Sequence, residues 1–208
     1  VTNAQESIDG TDSNDPCDYL TASQTVTAST VWNALDCDGD GVTNGDEAID
    51  GTDSNDPCDY LTVSQTVTVS TVWNALDCDG DGVTNGDETT DGTDPNDPCD
   101  YLIASQTVTT SVIWDALDCD GDGTDNGTDT DPLDPCAGAT IGSEDTTNPV
   151  WQLADCDGDG VTNGDEAIDG TDSNDPCDYL IASQTDTTSA IWDALDCDGD
   201  GTDNGTDT

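Results

Sequence analysis

The chain has no lysine, arginine or histidine. Its 49 aspartates and glutamates therefore give a formal charge of −49 over 208 residues, with no side chain to balance it. Nucleic acid and anionic membrane surfaces are excluded as electrostatic partners, because phosphate recognition needs Lys and Arg. Without His or Lys there is no ordinary general base, and the Ser and Thr residues have no activating neighbour, so an enzyme is not expected. Carboxylate pairs can in principle cleave glycosides, but no pair stands apart from the others. Phe and Met are also absent, and only 31% of residues are hydrophobic and 4% aromatic, too few for one shared core. No apolar run approaches the length needed to span a bilayer, so membrane insertion is not expected. Neither an initiator Met nor a signal peptide is read at the start. The opening VTNAQESIDGTD matches the second half of VTNGDEAIDGTD, and the last residues begin another unit, so the sequence reads as a segment of a longer array.

What is present is repetitive. Five tryptophans, Trp32, Trp73, Trp114, Trp151 and Trp192, are spaced 41, 41, 37 and 41 residues apart, which defines a tandem array. Its expected units are a partial repeat at 1–35, repeats at 36–76 and 77–117, a shortened repeat at 118–154, a repeat at 155–195 and a partial one at 196–208. Charge and composition alone would read as disorder. Ten regularly placed cysteines and the element DCDGDG, repeated at Asp36, Asp77, Asp118, Asp155 and Asp196, argue against it. Of the 49 acids 44 are Asp, the shorter carboxylate that suits tight loops.

Each unit joins a threonine-rich insert to an acidic loop. The insert from Tyr19 to Thr27 is rich in β-branched residues and alternates in character, which predicts a short strand. A one-turn helix should follow, capped by Ser29, Ser70, Ser111, Ser189 and, before Pro149, Asn148. That turn places Trp32 and Leu35 on one face, and the Trp is expected to pack over its own unit. The fold class expected is thus an irregular, small β-containing tandem repeat array, with short strands and one-turn helices organised by the acidic loops and disulfides rather than a large core.

The even cysteine count indicates an oxidising, extracellular setting, secreted or on the cell surface. Two pairings are open. One joins Cys17 to Cys37, Cys58 to Cys78, Cys99 to Cys119, Cys136 to Cys156 and Cys177 to Cys197, always 20 residues apart. The other closes the acidic loops, with spacings of 21 or 17, and leaves Cys17 and Cys197 without partners. The first is preferred, and each such bond is worth about 3 kcal/mol in the chain-entropy picture. Metal thiolates are disfavoured because no CxxC spacing occurs and the surrounding carboxylates attract hard cations.

The acidic loop carries the chemistry. DCDGDGVTNGDE puts oxygen donors at positions 1, 3, 5, 9 and 12, glycine at 6 and a backbone carbonyl at 7, the twelve-residue calcium-loop pattern. The expected ligands are Asp36, Asp38, Asp40, the Val42 carbonyl, Asn44 and Glu47 in the first loop. They are Asp77, Asp79, Asp81, Val83, Asn85 and Glu88 in the second, and Asp155, Asp157, Asp159, Val161, Asn163 and Glu166 in the fourth. The two short loops offer Asp118, Asp120, Asp122, Thr124, Asn126 and Asp129, and Asp196, Asp198, Asp200, Thr202, Asn204 and Asp207. There the shorter Asp replaces Glu at position 12. A second donor group, Asp53, Asn55 and Asp56 with its equivalents such as Asp12, Asn14 and Asp15, reads equally as a further calcium site or as an Asx-type turn before proline.

The pattern DGDGVTNGDE followed by GTDPNDP, clearest from Asp79 to Pro98, resembles the thrombospondin type 3-like calcium repeats of bacterial surface and secreted proteins. The cysteine-bounded insert resembles that of long repetitive surface proteins of Bacteroidetes-type bacteria. The resemblance implies a chain wound around calcium ions and used as a stalk, spacer or fibre, with self-association or end-to-end arrays as its partners besides calcium. Adhesion to a glycan, mineral or cell surface is the alternative. EF-hand sensors and dockerins match less well, because long flanking helices are missing and position 8 is Thr43, Thr84, Asp125, Thr162 or Asp203. Two sequons, at Asn126 and Asn204, and the Ser/Thr-rich inserts permit glycosylation.

Overall fold

The computed structural model describes residues 1–207. The chain forms two compact units, Val1–Thr110 and Ser111–Thr208. The first contains α1 (Asn3–Asp9), α2 (Asn44–Asp50) and α3 (Asn85–Asp91), with 3-10 turns at Thr21–Ser23, Trp32–Ala34, Thr62–Ser64, Trp73–Ala75 and Ile103–Ser105. The second contains a 3-10 turn at Trp114–Ala116 and α4 (Pro149–Leu153), α5 (Asn163–Asp169) and α6 (Ala190–Asp193).

The helices follow from local chemistry. Thr43 caps α2: its Oγ1 accepts from the Asp46 N–H at 3.3 Å and donates to the Asp46 carboxylate at 2.7 Å. Gly51 ends the helix in the left-handed region at φ 85°, donating its N–H to the Glu47 carbonyl. The same Thr and Gly bracket α3 and α5. The serines placed before each Trp do cap the turns: the Trp32, Trp73, Trp114 and Trp192 N–H groups reach Ser29, Ser70, Ser111 and Ser189 Oγ at 3.0–3.1 Å. Asn148 caps α4 with Pro149 in its first turn.

No strand occurs among the described residues, which corrects the β-containing fold expected from the inserts. Tyr19–Thr27 is interrupted by the 3-10 turn Thr21–Ser23, and the next two inserts break at the same place, at Thr62–Ser64 and Ile103–Ser105. The β-branched residues do lie along a neighbour, but that neighbour is an acidic loop with no ladder to offer. Thr66 and Val67 N–H both donate to the Gly41 carbonyl, at 2.9 and 3.1 Å, and Ser70 N–H donates to the Gly39 carbonyl at 2.8 Å. Two carbonyls of a tight turn can anchor an extended segment without making a sheet.

This anchoring builds the small cores. Val42 from the loop, Tyr60 and Trp73 from the insert are buried together, with Val69 packed against them. Tyr60 and Trp73 meet edge to face at 5.8 Å, and Tyr19–Trp32 and Tyr179–Trp192 repeat the geometry at 5.6 and 5.7 Å. Gly41 is required here: it sits at φ 91°, and a Cβ would lie 2.9 Å from Val69 Cγ1. Disulfides join Cys17 to Cys37, Cys58 to Cys78, Cys136 to Cys156 and Cys177 to Cys197. Cys99 and Cys119 are oxidised as well, and no described cysteine is free. The loop-closing alternative is excluded.

Candidate metal centre

In the first loop, Asp36 holds the turn together. Its Oδ1 accepts from Gly39 N–H at 2.7 Å and its Oδ2 from Gly41 N–H at 3.1 Å. Asp38 and Asp40 each spend Oδ1 on the backbone two residues on, at 3.4 and 2.7 Å. Their Oδ2 atoms are shielded from solvent and have no partner. The twelfth residue, Glu47, is 0% exposed, and both of its carboxylate oxygens are without a partner. Ligand atoms from Asp36, Asp38 and Asp40 lie within 4.8 Å of one another.

The second and fourth loops repeat this arrangement. Asp77, Asp79 and Asp81 converge, as do Asp155, Asp157 and Asp159, and Glu88 and Glu166 are fully buried with both oxygens unpartnered. In the third loop Asp118, Asp120 and Asp122 converge, and in the fifth Asp196, Asp198 and Asp200 do so in the open.

Burial and mutual repulsion raise the proton affinity of these carboxylates when no cation is bound. Loss of solvent, followed by the charges of Asp38 and Asp40, pushes Glu47 up to about 8. Loss of solvent also dominates at Asp38, pushed to about 6, and at Asp40, pushed to about 7. Glu88 rises to about 9 and Glu166 to about 8 for the same reasons. Buried carboxylates without partners are costly, and here no side-chain cation exists in the chain. A hard divalent cation fits this all-oxygen donor set, with the three loop aspartates and the glutamate holding it.

The ninth residue is used differently. Asn44 Oδ1 accepts from Cys37 N–H at 3.1 Å, while its Nδ2 donates to the Trp32 carbonyl at 3.1 Å. Asn85, Asn126, Asn163 and Asn204 likewise accept from the N–H of Cys78, Cys119, Cys156 and Cys197. The structure therefore gathers the aspartates and the glutamate, and sets the asparagine to fasten loop to Trp turn. In the two sequons, Nδ2 of Asn126 and Asn204 donates to the Trp114 and Trp192 carbonyls, so the folded chain does not offer those nitrogens for glycosylation.

The second donor group forms a turn. Asp53 Oδ1 accepts from Asn55 N–H at 3.2 Å and Asp56 Oδ1 from Cys58 N–H at 3.1 Å, with the same pattern at Asp12 and Asp15. No metal-holding group of acids includes them among the described residues.

One contributor went unread in the sequence. Gln65, Gln106 and Gln184 each reach from an insert to the carbonyl of the fifth loop residue, Asp40 at 2.6 Å, Asp81 at 2.6 Å and Asp159. Its signal was the Ser-Gln-Thr triplet at one place in four inserts, 23–25, 64–66, 105–107 and 183–185.

The bacterial TSP3 repeat model matches at residues 36–57, 77–98 and 155–176. These three stretches are similar to bacterial TSP3 repeats. They are the stretches whose loops close with a buried Glu, so the family match and the geometry select the same loops. No curated protein and no solved structure matches the chain. The TSP3 repeats, aspartate groups and disulfides together fit a calcium-binding structural repeat. No described helix is long and apolar enough to cross a membrane.

Proposed function

We propose that the chain is an extracellular, calcium-stiffened repeat array that serves as a fibre, filament or surface stalk. The observation that carries this reading is the set of three glutamates, Glu47, Glu88 and Glu166, fully buried with both oxygens unpartnered in a chain without a cationic side chain. A bound calcium ion would supply the missing positive charge and fix each loop. The remaining parts are the chain's own. Asp36 closes the turn, and Asn44 ties it to the Trp turn. Gln65 and Ser70 then hold the following insert against the loop, so that rigidity passes between neighbouring repeats. Disulfides lock each insert independently of the ion, and they suit an oxidising, extracellular location.

The test is chelation of the oxidised chain, followed by far-UV circular dichroism and hydrodynamic radius. Expansion and loss of the helical signal on calcium removal, reversed on readdition, is expected because metal-binding free energy is here folding free energy. Unchanged spectra and radius would overturn the reading. Imaging native material with and without chelator then asks whether extended fibres depend on calcium.

A further inference from the structure

The third loop, residues 118–129, lies outside the stretches matched as TSP3 repeats, yet its interior is as dry as theirs. Asp122 is 0% and Asp120 1% exposed, and Oδ2 of Asp120, Asp122 and Asp129 is shielded and without a partner. The backbone contacts repeat those of the first loop: Asp118 accepts from Gly121 and Gly123 N–H at 2.8 and 3.0 Å, Asp120 from Asp122 N–H at 3.1 Å, and Asp122 from Thr124 N–H at 2.8 Å.

Two features differ. Asp129 Oδ1 accepts from Asp131 N–H at 3.1 Å, which leaves only Oδ2 free to face the loop, whereas Glu47, Glu88 and Glu166 keep both oxygens free. The cover is also of another kind. Thr140 N–H donates to the Asp122 carbonyl at 3.1 Å, Asp145 N–H to the Gly121 carbonyl at 2.9 Å and Asn148 Nδ2 to the Cys119 carbonyl at 3.1 Å, with no glutamine in the role of Gln65.

We infer that the third loop is a divalent-cation site with one protein oxygen fewer than the glutamate-closed loops, so that it holds calcium more weakly and admits magnesium. Calcium takes six to eight oxygens in flexible geometry, and a closing carboxylate that binds through both oxygens favours it. Magnesium requires six in a near-ideal octahedron and keeps waters, which closure through a single oxygen suits. The inference rests on the calcium reading of the glutamate-closed loops and adds a site of different selectivity between them in sequence.

The test resolves loops individually by following the backbone amides of Gly41, Gly82, Gly123 and Gly160, each at position 6 of its loop, by NMR of the full oxidised chain during calcium titration. The Gly123 midpoint should fall at about tenfold higher calcium than the other three, and millimolar magnesium should displace calcium at Gly123 alone. Asp129→Glu should bring Gly123 to the midpoint of the others and remove its magnesium response. Glu88→Asp should shift Gly82 towards the behaviour of Gly123, which keeps the comparison available if Asp129→Glu folds poorly. Four coincident midpoints indifferent to magnesium would overturn the inference while leaving the calcium reading intact. No response to calcium at any of the four would overturn both.

Discussion

The first and fifth acidic loops carry the same aspartate triad, but one is closed and the other open. Asp40 is fully buried, whereas Asp196, Asp198 and Asp200 are all exposed. Loop geometry does not explain the difference, because Asp196 accepts from Gly199 and Gly201 N–H at 2.8 and 2.9 Å much as Asp36 does from Gly39 and Gly41. The difference is what lies over the loop. Gly41 faces Val69, Val67 and Gln65, while Gly199 and Gly201 have open space beside them. The aspartate spacing folds the loop, and the insert of the next repeat dries it. In the closed loop the insert that follows shields the aspartates, and that loss of solvent makes an unpaired carboxylate cluster costly enough to demand a cation.

The largest effect that would test this comparison is on pH dependence. In the closed loops without calcium, the carboxyl groups of Asp38, Asp40 and Glu47 are held well above their ordinary range, at about 6, 7 and 8. The native state therefore binds more protons than the unfolded chain between roughly pH 4 and 8, so the stability of the calcium-free protein is highest near the lower limit and falls as pH rises through that window. With calcium the order should reverse, since ligating carboxylates must lose their protons. The helical circular-dichroism signal at pH 5 and pH 8, each with calcium and with chelator, checks the prediction: the chelated chain should keep more of it at pH 5, and the calcium-loaded chain should resist denaturant better at pH 8. The same sign of pH dependence under both conditions would break it.

The next effect compares equivalent glycines. Gly41→Ala puts a Cβ 2.9 Å from Val69 Cγ1 at a left-handed φ, and should cost about 2–5 kcal/mol from backbone strain plus overpacking. Gly201→Ala, at φ 94° with nothing within 4 Å, should cost only the backbone strain, about 1–2 kcal/mol. Chemical denaturation of the calcium-loaded chain measures both. Equal costs would show that the insert does not press on the closed loop.

These contrasts also show what the sequence made legible. The period, the cysteine pairing, the aspartate triads, the buried glutamates and the caps at Ser29 and Asn148 depend on short-range spacing, and spacing is written in the chain. The helix at Asn44–Asp50 was equally local, marked by Thr43, Asp46 and Gly51, but Glu47 was read only as a ligand and the bracketing signals went unused. The expected strand failed for a non-local reason. Thr66 and Val67 share one carbonyl of a turn 25 residues earlier, and no alternation pattern reveals that a partner is a turn rather than another strand. The hydrogen bonds of Asn44 were unreadable for the same reason, because a side-chain amide suits a cation and a backbone N–H equally well, and only the fold places Cys37 N–H and the Trp32 carbonyl beside it.

The smallest effect tests the insert side of the comparison. Gln65 donates Nε2 to the Asp40 carbonyl at 2.6 Å, the only side-chain hydrogen bond recorded from this insert to the buried loop among the described residues. Gln24 holds the same place in the first insert, with no acidic loop before it in this sequence. Gln65→Ala should therefore cost about 1 kcal/mol, while Gln24→Ala should leave stability unchanged. Because the carbonyl belongs to Asp40, one of the three converging aspartates, the Gln65 variant should also lower the calcium midpoint sharpness at Gly41, the amide next to it. If both alanine variants behave alike, the insert covers the loop through Tyr60, Val69 and Trp73 alone, and the glutamine that recurs in four inserts has another role.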